Sequence, residues 1–231
     1  LRAQDGLEVT VYGVPAYSTL GWMNWAGGDP LVSTIIAWPA GALARILFHE
    51  LAHQRVYAKG DTMFNESYAT AVGRLGAAQW LAGHADDAAR RADARWQAHQ
   101  QAFRALTRAT RAELAAVYEQ KGPDGLSEPA LLALKTEAMA RFRERYQALK
   151  ARWAAAGMPY DGYDAWVAHA NNASFALQAA YDEWVPGFEA LFAQQGRDWP
   201  RFHAAVQQLA ALPAAERDAQ LRALTAVQVR D

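Results

Sequence analysis

Apolar positions recur along most of this chain at the three-to-four-residue interval of helices. Only near the N-terminus do they recur at the two-residue interval of strands. Residues 7–13 (LEVTVYG) alternate apolar and polar side chains and are rich in β-branched types, which predicts a strand. Residues 31–38 (LVSTIIAW), after Pro30, predict a second strand or extended segment. The stretch between them, VPAYSTLGWMNWAGGDP, is rich in Gly, Pro and Trp and reads as a loop wall. A helix follows from about Ala40 to Ala58, with Ile46, Leu47, Leu51 and Val56 at helical spacing and Gly60 and Asp61 after it. A second helix opens near Thr62, a good N-cap, and runs through FNESYATAVGRLGAAQWLAG.

Residues 86–120 are Ala-rich, highly charged and free of Gly and Pro, which predicts one helix on the order of 50 Å long. KGPDGLSEP is a turn. Residues 130–156 form the return helix, with Leu131, Leu134, Met139, Phe142, Tyr146, Leu149 and Trp153 on its apolar face. The pair makes a long antiparallel helical hairpin whose charges form a solvated face. Three shorter helices are predicted after it, at 164–184, 187–196 and 198–210, with Gly187, Gly196 and Pro213 at their boundaries.

Composition narrows the chemistry. A chain of 231 residues with 52% hydrophobic side chains buries a real core. The formal net charge of -1 leaves no basic excess for phosphates, so nucleic acid is excluded as the main partner. With no cysteine, a transition-metal site must use His and carboxylate. The longest apolar run, STIIAWPAGALARILF, is broken by Pro39, Gly41 and Arg45, and no transmembrane segment is expected. No signal peptide opens the chain. Its start, LRAQDGLEVTVYGV, reads like the end of a helix leading into a strand, so the expectation is a piece of a longer protein.

The stretch 45–73, RILFHELAHQRVYAKGDTMFNESYATAVG, carries the candidate chemistry. His49 and His53 stand four residues apart, so on a helix both imidazoles face one way. Two neutral imidazoles at that separation fit adjacent corners of a tetrahedral zinc site. Glu50 is angled off the metal and suits a general base acting on water. A third ligand is needed. Glu66, thirteen residues beyond His53 and past the KGDT turn, is the preferred candidate, and Asp61 is its competitor. The bland alternative is a hydrogen-bonded core cluster of His49, Glu50 and His53 without metal.

H-E-L-A-H-Q followed by N-E-S-Y-A resembles the zinc signature of the gluzincin aminopeptidases. That resemblance implies His49, His53 and Glu66 as ligands of one zinc per chain and Glu50 as base. The whole chain more closely resembles a bacterial family described as putative aminopeptidases, through GVPAYSTLGW (13–22), DPLVST (29–34), FHELAHQRVYAKGDTMFNESYAT (48–70) and NNA (171–173). Members of that family carry a longer N-terminus, often with an export or lipoprotein signal, which implies the cell envelope or periplasm. The gap between the second His and the Glu is shorter here than in the well-known aminopeptidases. The G-x-M-E-N segment whose Glu binds the substrate's free amine is missing.

The expected fold is therefore α+β and mostly helical. It has a zincin-like core with a small β element at 1–83, the hairpin at 84–157, and C-terminal helices packing on the core at 158–231. The expected reaction is hydrolysis of a peptide or protein substrate. The rivals are a zinc hydrolase of a non-peptide amide, and a binding or scaffold protein with a vestigial zinc. Tyr17, Ser18 and Thr19 suit a substrate-binding edge. Tyr160, Tyr163 and His169 are possible donors by type. Asn171 and Asn172 are poor helix formers on an expected helix, which suggests a buried or site-facing role. His84, His99 and His203 are expected on charged, exposed faces. Carboxylates able to hold a substrate ammonium are sought at Glu8, Asp29, Asp161, Asp164, Asp182 and Glu183.

Overall fold

The computed structural model describes residues 8–11, 36, 38–121, 125–182 and 184–228. Among them the regular structure is helical: α1 Ala40–His53, α2 Thr62–His84, α3 Asp87–Glu119, α4 Glu128–Ala155, α5 Asp164–His169, α6 Asn172–Asp182, α7 Val185–Gln194, α8 Trp199–Ala210 and α9 Ala214–Gln228. No strand occurs among the described residues, so the expected α+β core with a β element is corrected to a helical one.

The reason is visible at residues 8–11. Their alternation is real, but its polar side is the anchored one. Glu8 pairs with Lys135 and accepts the Asn172 backbone N–H at 3.0 Å. The Val9 carbonyl accepts from Asn171 Nδ2 at 3.0 Å, and Ser174 Oγ donates to Thr10 Oγ1 at 3.2 Å. Val11 is 90% exposed. Side chains therefore take the hydrogen bonds that a neighbouring strand would have taken. In the other expected strand, Ile36 is already helical and Trp38 sits in a bend, while 31–35 and 37 lie outside the described residues.

The chain forms two compact units. One comprises Leu1–Val11 with Ala94–Gln178, the other Tyr12–Asp93 with Ala179–Asp231. Of the three divisions, those after Asp93 and Gln178 fall inside helices, α3 and α6.

In the first unit α3 and α4 run antiparallel, His99 meeting Trp153, Phe103 meeting Tyr146, and Glu113 meeting Arg141 and Arg145. The core holds Phe103, Met139, Phe142, Tyr146, Trp153, Val167 and Phe175. The expected single helix at 164–184 is two. Asn171 accepts the Ser174 backbone N–H at 3.1 Å and so restarts the chain as α6. His99 is buried, stacked on Tyr160 and bonded to the Met158 carbonyl at 2.9 Å, which corrects its expected exposure.

The second unit packs α1 on α2, α2 on α7, and α7 on α8 and α9. Its core includes Phe64, Tyr68, Val185, Phe188, Phe202, Val206 and Leu221. Pro186 sits in the first turn of α7, so Gly187 is inside the helix rather than at its edge. A side chain on Gly187 would stand 2.9 Å from the Leu221 carbonyl of α9. Helix α9 itself follows Pro213 and was not anticipated.

Candidate metal centre

The site is built by the close approach of α1 and α2. A Cβ on Gly73 would lie 2.6 Å from the Arg45 carbonyl and 3.4 Å from His49 Cβ. One on Gly76 would lie 3.0 Å from the Phe48 ring. Buried Ala52, Ala69, Ala71 and Ala77 keep the same interface thin. Small residues here bring the α2 backbone against the turn of α1 that carries His49.

The connection between the two helices is fixed by side chains. Asn65 is buried and grips Ala58 twice: its Oδ1 accepts the Ala58 N–H and its Nδ2 donates to the Ala58 carbonyl, both at 2.8 Å. Gly60 takes the left-handed φ of 80° that the turn demands. Asp61, rather than Thr62, caps α2, accepting the Phe64 N–H at 2.9 Å. Its other oxygen takes Arg217 Nη2 at 2.6 Å. Both carboxylate oxygens of Asp61 are thus engaged away from the histidines.

Within this frame the three side chains converge. His49 Nε2 and His53 Nε2 stand 3.3 Å apart. His49 Nε2 is 3.3 Å from Glu66 Oε2, and His53 Nε2 is 3.8 Å from Glu66 Oε1. One donor atom from each residue lies within 4.8 Å of the others, a grouping able to hold a metal ion. The imidazoles meet edge to face at 84°. Burial lowers the His53 pKa, the His49 charge lowers it further, and Glu66 opposes both, so His53 is held neutral. Its Nδ1 is buried without a hydrogen-bond partner. Glu66 forms no ion pair with Lys or Arg among the described residues. Glu50 lies on α1, half-buried, one residue past His49.

The family model described as Putative aminopeptidase matches residues 1–221, nearly the whole length and both units. The chain belongs to that family. No curated protein matches it, and no solved structure does.

The remaining candidate residues divide sharply. Tyr17, Ser18, Thr19 and Asp29 lie outside the described residues, as does Glu183. Tyr163, Asn171 and Asn172 belong to the first unit and are occupied there. Tyr163 stacks on Phe103 with ring centroids 3.8 Å apart. Asn171 and Asn172 hold the 8–11 segment, and Asn172 also donates to the Tyr118 hydroxyl at 2.7 Å. His169 is exposed and bonds its own helix at the Ala165 carbonyl. Of the acids sought for a substrate ammonium, Glu8 holds Lys135. Asp164 holds Lys150 at 2.7 Å and Tyr146 at 2.6 Å.

The sequence reading did not single out Asn65, Ser67, Tyr68, His203 and Arg217 as parts of the frame. Ser67 Oγ accepts the Trp184 N–H at 3.2 Å, and Tyr68 bonds His203 Nδ1 at 2.8 Å. The available signal was the run N-E-S-Y, whose polar side chains lie beside buried alanines. His203 is half-buried against Tyr68, a second correction to expected exposure; His84 is exposed as expected. No helix among the described residues is long and apolar enough to cross a membrane.

Proposed function

We propose that the chain is a zinc-dependent peptidase, with His49, His53 and Glu66 holding the ion and Glu50 serving as general base. The observation that carries this reading is the convergence of the two Nε2 atoms and the Glu66 carboxylate. Donors each about 2.0–2.1 Å from a tetrahedral zinc stand roughly 3.3 Å apart. That is the separation of His49 Nε2 from His53 Nε2 and from Glu66 Oε2. Two imidazole nitrogens facing each other and a carboxylate, with no Lys or Arg pairing that carboxylate, are best balanced by a divalent cation. The orphaned His53 Nδ1 is the inner nitrogen of that ring, so the ring is aimed by packing, with Nε2 left to the site.

When bound, zinc supplies Lewis acidity, polarising a carbonyl and acidifying a water. The protein's own part is positional. His49 and His53 present nitrogens from successive turns of one helix, and Glu66 completes the set from α2. Glu50, on the same helix as the histidines but rotated off them, takes the proton from the attacking water and returns it to the leaving amine. The family name supports a peptide substrate. It does not supply a carboxylate for a free amine, and the two such carboxylates whose contacts are known, Glu8 and Asp164, are paired elsewhere. Cleavage that tolerates a blocked N-terminus is therefore part of this proposal.

Elemental analysis of the purified chain tests it, with about one zinc per chain expected. No zinc as isolated and none taken up on reconstitution overturns it. A matched pair of peptides, one N-acetylated and one free, tests the second part. Stepwise cleavage of the free peptide alone overturns that part and leaves the metal reading standing.

A further inference from the structure

Helix α1 has a second working face. At 3.6 residues per turn, His49, Glu50 and His53 share one arc of the helix, Phe48, Leu51 and Ala52 lie on the arc roughly opposite, and Arg55 stands in the turn that follows the helix. These last four line a pocket of about 480 Å³, completed by Val72, Gly76, Gln79, Trp80 and His84 of α2 and by Trp199 and His203 of α8. Volumes of roughly 300–1,000 Å³ are typical of small-molecule sites. Every wall of this pocket belongs to one compact unit.

Its walls are apolar and flat. Trp80 stacks on His84 at an interplanar angle of 10°, and Trp199 on His203 at 28°. Leu51 leaves 56% of its surface open, an unusual exposure for a leucine beside two tryptophans and a phenylalanine. The polar groups Gln79, His203 and Arg55 at its walls share one property: what they have left to offer is hydrogen. Trp199 Nε1 donates to Gln79 Oε1 at 2.8 Å, which leaves the Gln79 amide NH2. The Tyr68 hydroxyl bonds His203 Nδ1 and has no other partner among the described residues; with the hydroxyl donating, the ring proton stands on Nε2. Burial, and then the Arg55 charge, lower the His203 pKa and keep that tautomer neutral. Arg55 forms no ion pair among the described residues. Among the described residues no Asp or Glu lines the pocket, and the other polar residue there is the exposed His84, which bonds the Trp80 carbonyl.

We propose that this pocket binds a small apolar carboxylate, its hydrocarbon body between Phe48, Trp80 and Trp199 and its carboxylate on Arg55. A cation with no ion-pair partner among the described residues, beside an open aromatic pocket, selects for an anion with an apolar body. A neutral apolar molecule would make no use of the Arg55 charge, and an inorganic anion would leave the aromatic walls unfilled. The site is separate from the metal centre and does not depend on it.

Calorimetric titration of the full chain with 3-phenylpropionate, with and without EDTA, tests the proposal. Saturable 1:1 binding that survives EDTA is expected. So is binding at least about ten-fold weaker for 3-phenylpropionamide and for the exposed variant Arg55→Gln, since each removes one charge-assisted contact. A control variant, Lys59→Gln, leaves the affinity unchanged. No saturation up to roughly 10 mM, a carboxylate weaker than about −3 kcal/mol, overturns it. So does equal affinity for acid and amide, or for Arg55→Gln and parent. Binding abolished by EDTA would place the carboxylate on the metal and overturn it as well.

Discussion

The two units solve the same problem, a helical core, with different materials. The first uses large rings: Phe103, Phe142, Tyr146, Trp153, Tyr163, Trp166 and Phe175 meet in a chain of edge and stacked contacts. Its charged residues pair on the surface, Glu113 with Arg141 and Arg145. The second places small residues where helices touch and buries polar side chains that grip backbone: Asn65 on Ala58, Ser67 on Trp184, Arg217 on Ala210 and Leu212. Rings fill volume and tolerate some repacking. A buried amide holding both polar atoms of one residue tolerates none, because either atom left alone costs the full desolvation penalty. The unit carrying the metal candidates is the one built to hold backbone in place.

Breaking the chemistry without touching either core should give the largest effect. Glu50→Gln is expected to lower kcat/KM by about 10²–10⁴. Zinc content and melting temperature should stay at parental values in parallel atomic absorption and thermal melts. Glu66→Ala, in contrast, should lose zinc on dialysis. Retention equal to the parent's would mean another group is the third ligand.

A cavity in the ring-built unit comes next. Phe142→Ala removes a fully buried ring and should cost about 3–5 kcal/mol in a urea melt. Zinc per folded chain should remain at one. Loss of zinc at temperatures where the chain is still folded would show that the two units are not divided in role.

Disturbing the grip in the other unit should cost less and matter more to the metal. Asn65→Ala strands the Ala58 N–H and carbonyl and should cost about 1–3 kcal/mol. Gly73→Ala forces a methyl group to 2.6 Å from the Arg45 carbonyl and should cost a similar amount. Both should raise the zinc dissociation constant measured against a competing chelator. Affinity unchanged in both would break the comparison.

The smallest effect belongs to the surface pair. Burial raises the Glu113 pKa, but the hydrogen bonds and charges of Arg141 and Arg145 together outweigh it and hold the group below the ordinary carboxylate value. A depressed pKa stabilises above the unfolded value and is lost as pH falls through the folded one. Glu113→Gln should therefore cost under about 1 kcal/mol at neutral pH and nothing in acid. Denaturant melts at neutral and acid pH distinguish the two.

Much of this was legible. The starts of α1 to α4 follow the apolar period and its Gly and Pro interruptions closely, although α1 ends at His53 rather than the expected Ala58, and α1 and α2 bring His49, His53 and Glu66 together. The failures have physical causes. Alternation at 8–11 looked like a strand because periodicity says which residues share a side, not what they bind. Asn171 looked like a site residue because its side chain is out of place in a helix; its work is to end one helix and begin the next. His99 and His203 looked exposed because charged neighbours surround them in sequence, whereas rings from 54 and 135 residues away cover them. Nothing local marks Arg217 as a partner of Asp61.

That last link sets a condition on how the site is completed as the chain is made. Every candidate ligand lies before residue 67, yet the carboxylate capping the ligand-bearing helix waits for a guanidinium 156 residues downstream. Arg217 also lies over the Phe64 ring, two residues from Glu66. A nascent chain that has emerged only through α2 has both histidines and the glutamate but not the brace on the turn between them. Contacts of such long sequence separation form late in folding. The candidate metal centre is therefore written well before its brace, so a ribosome stalled before α9 would hold a chain with the ligands in hand and the frame still open.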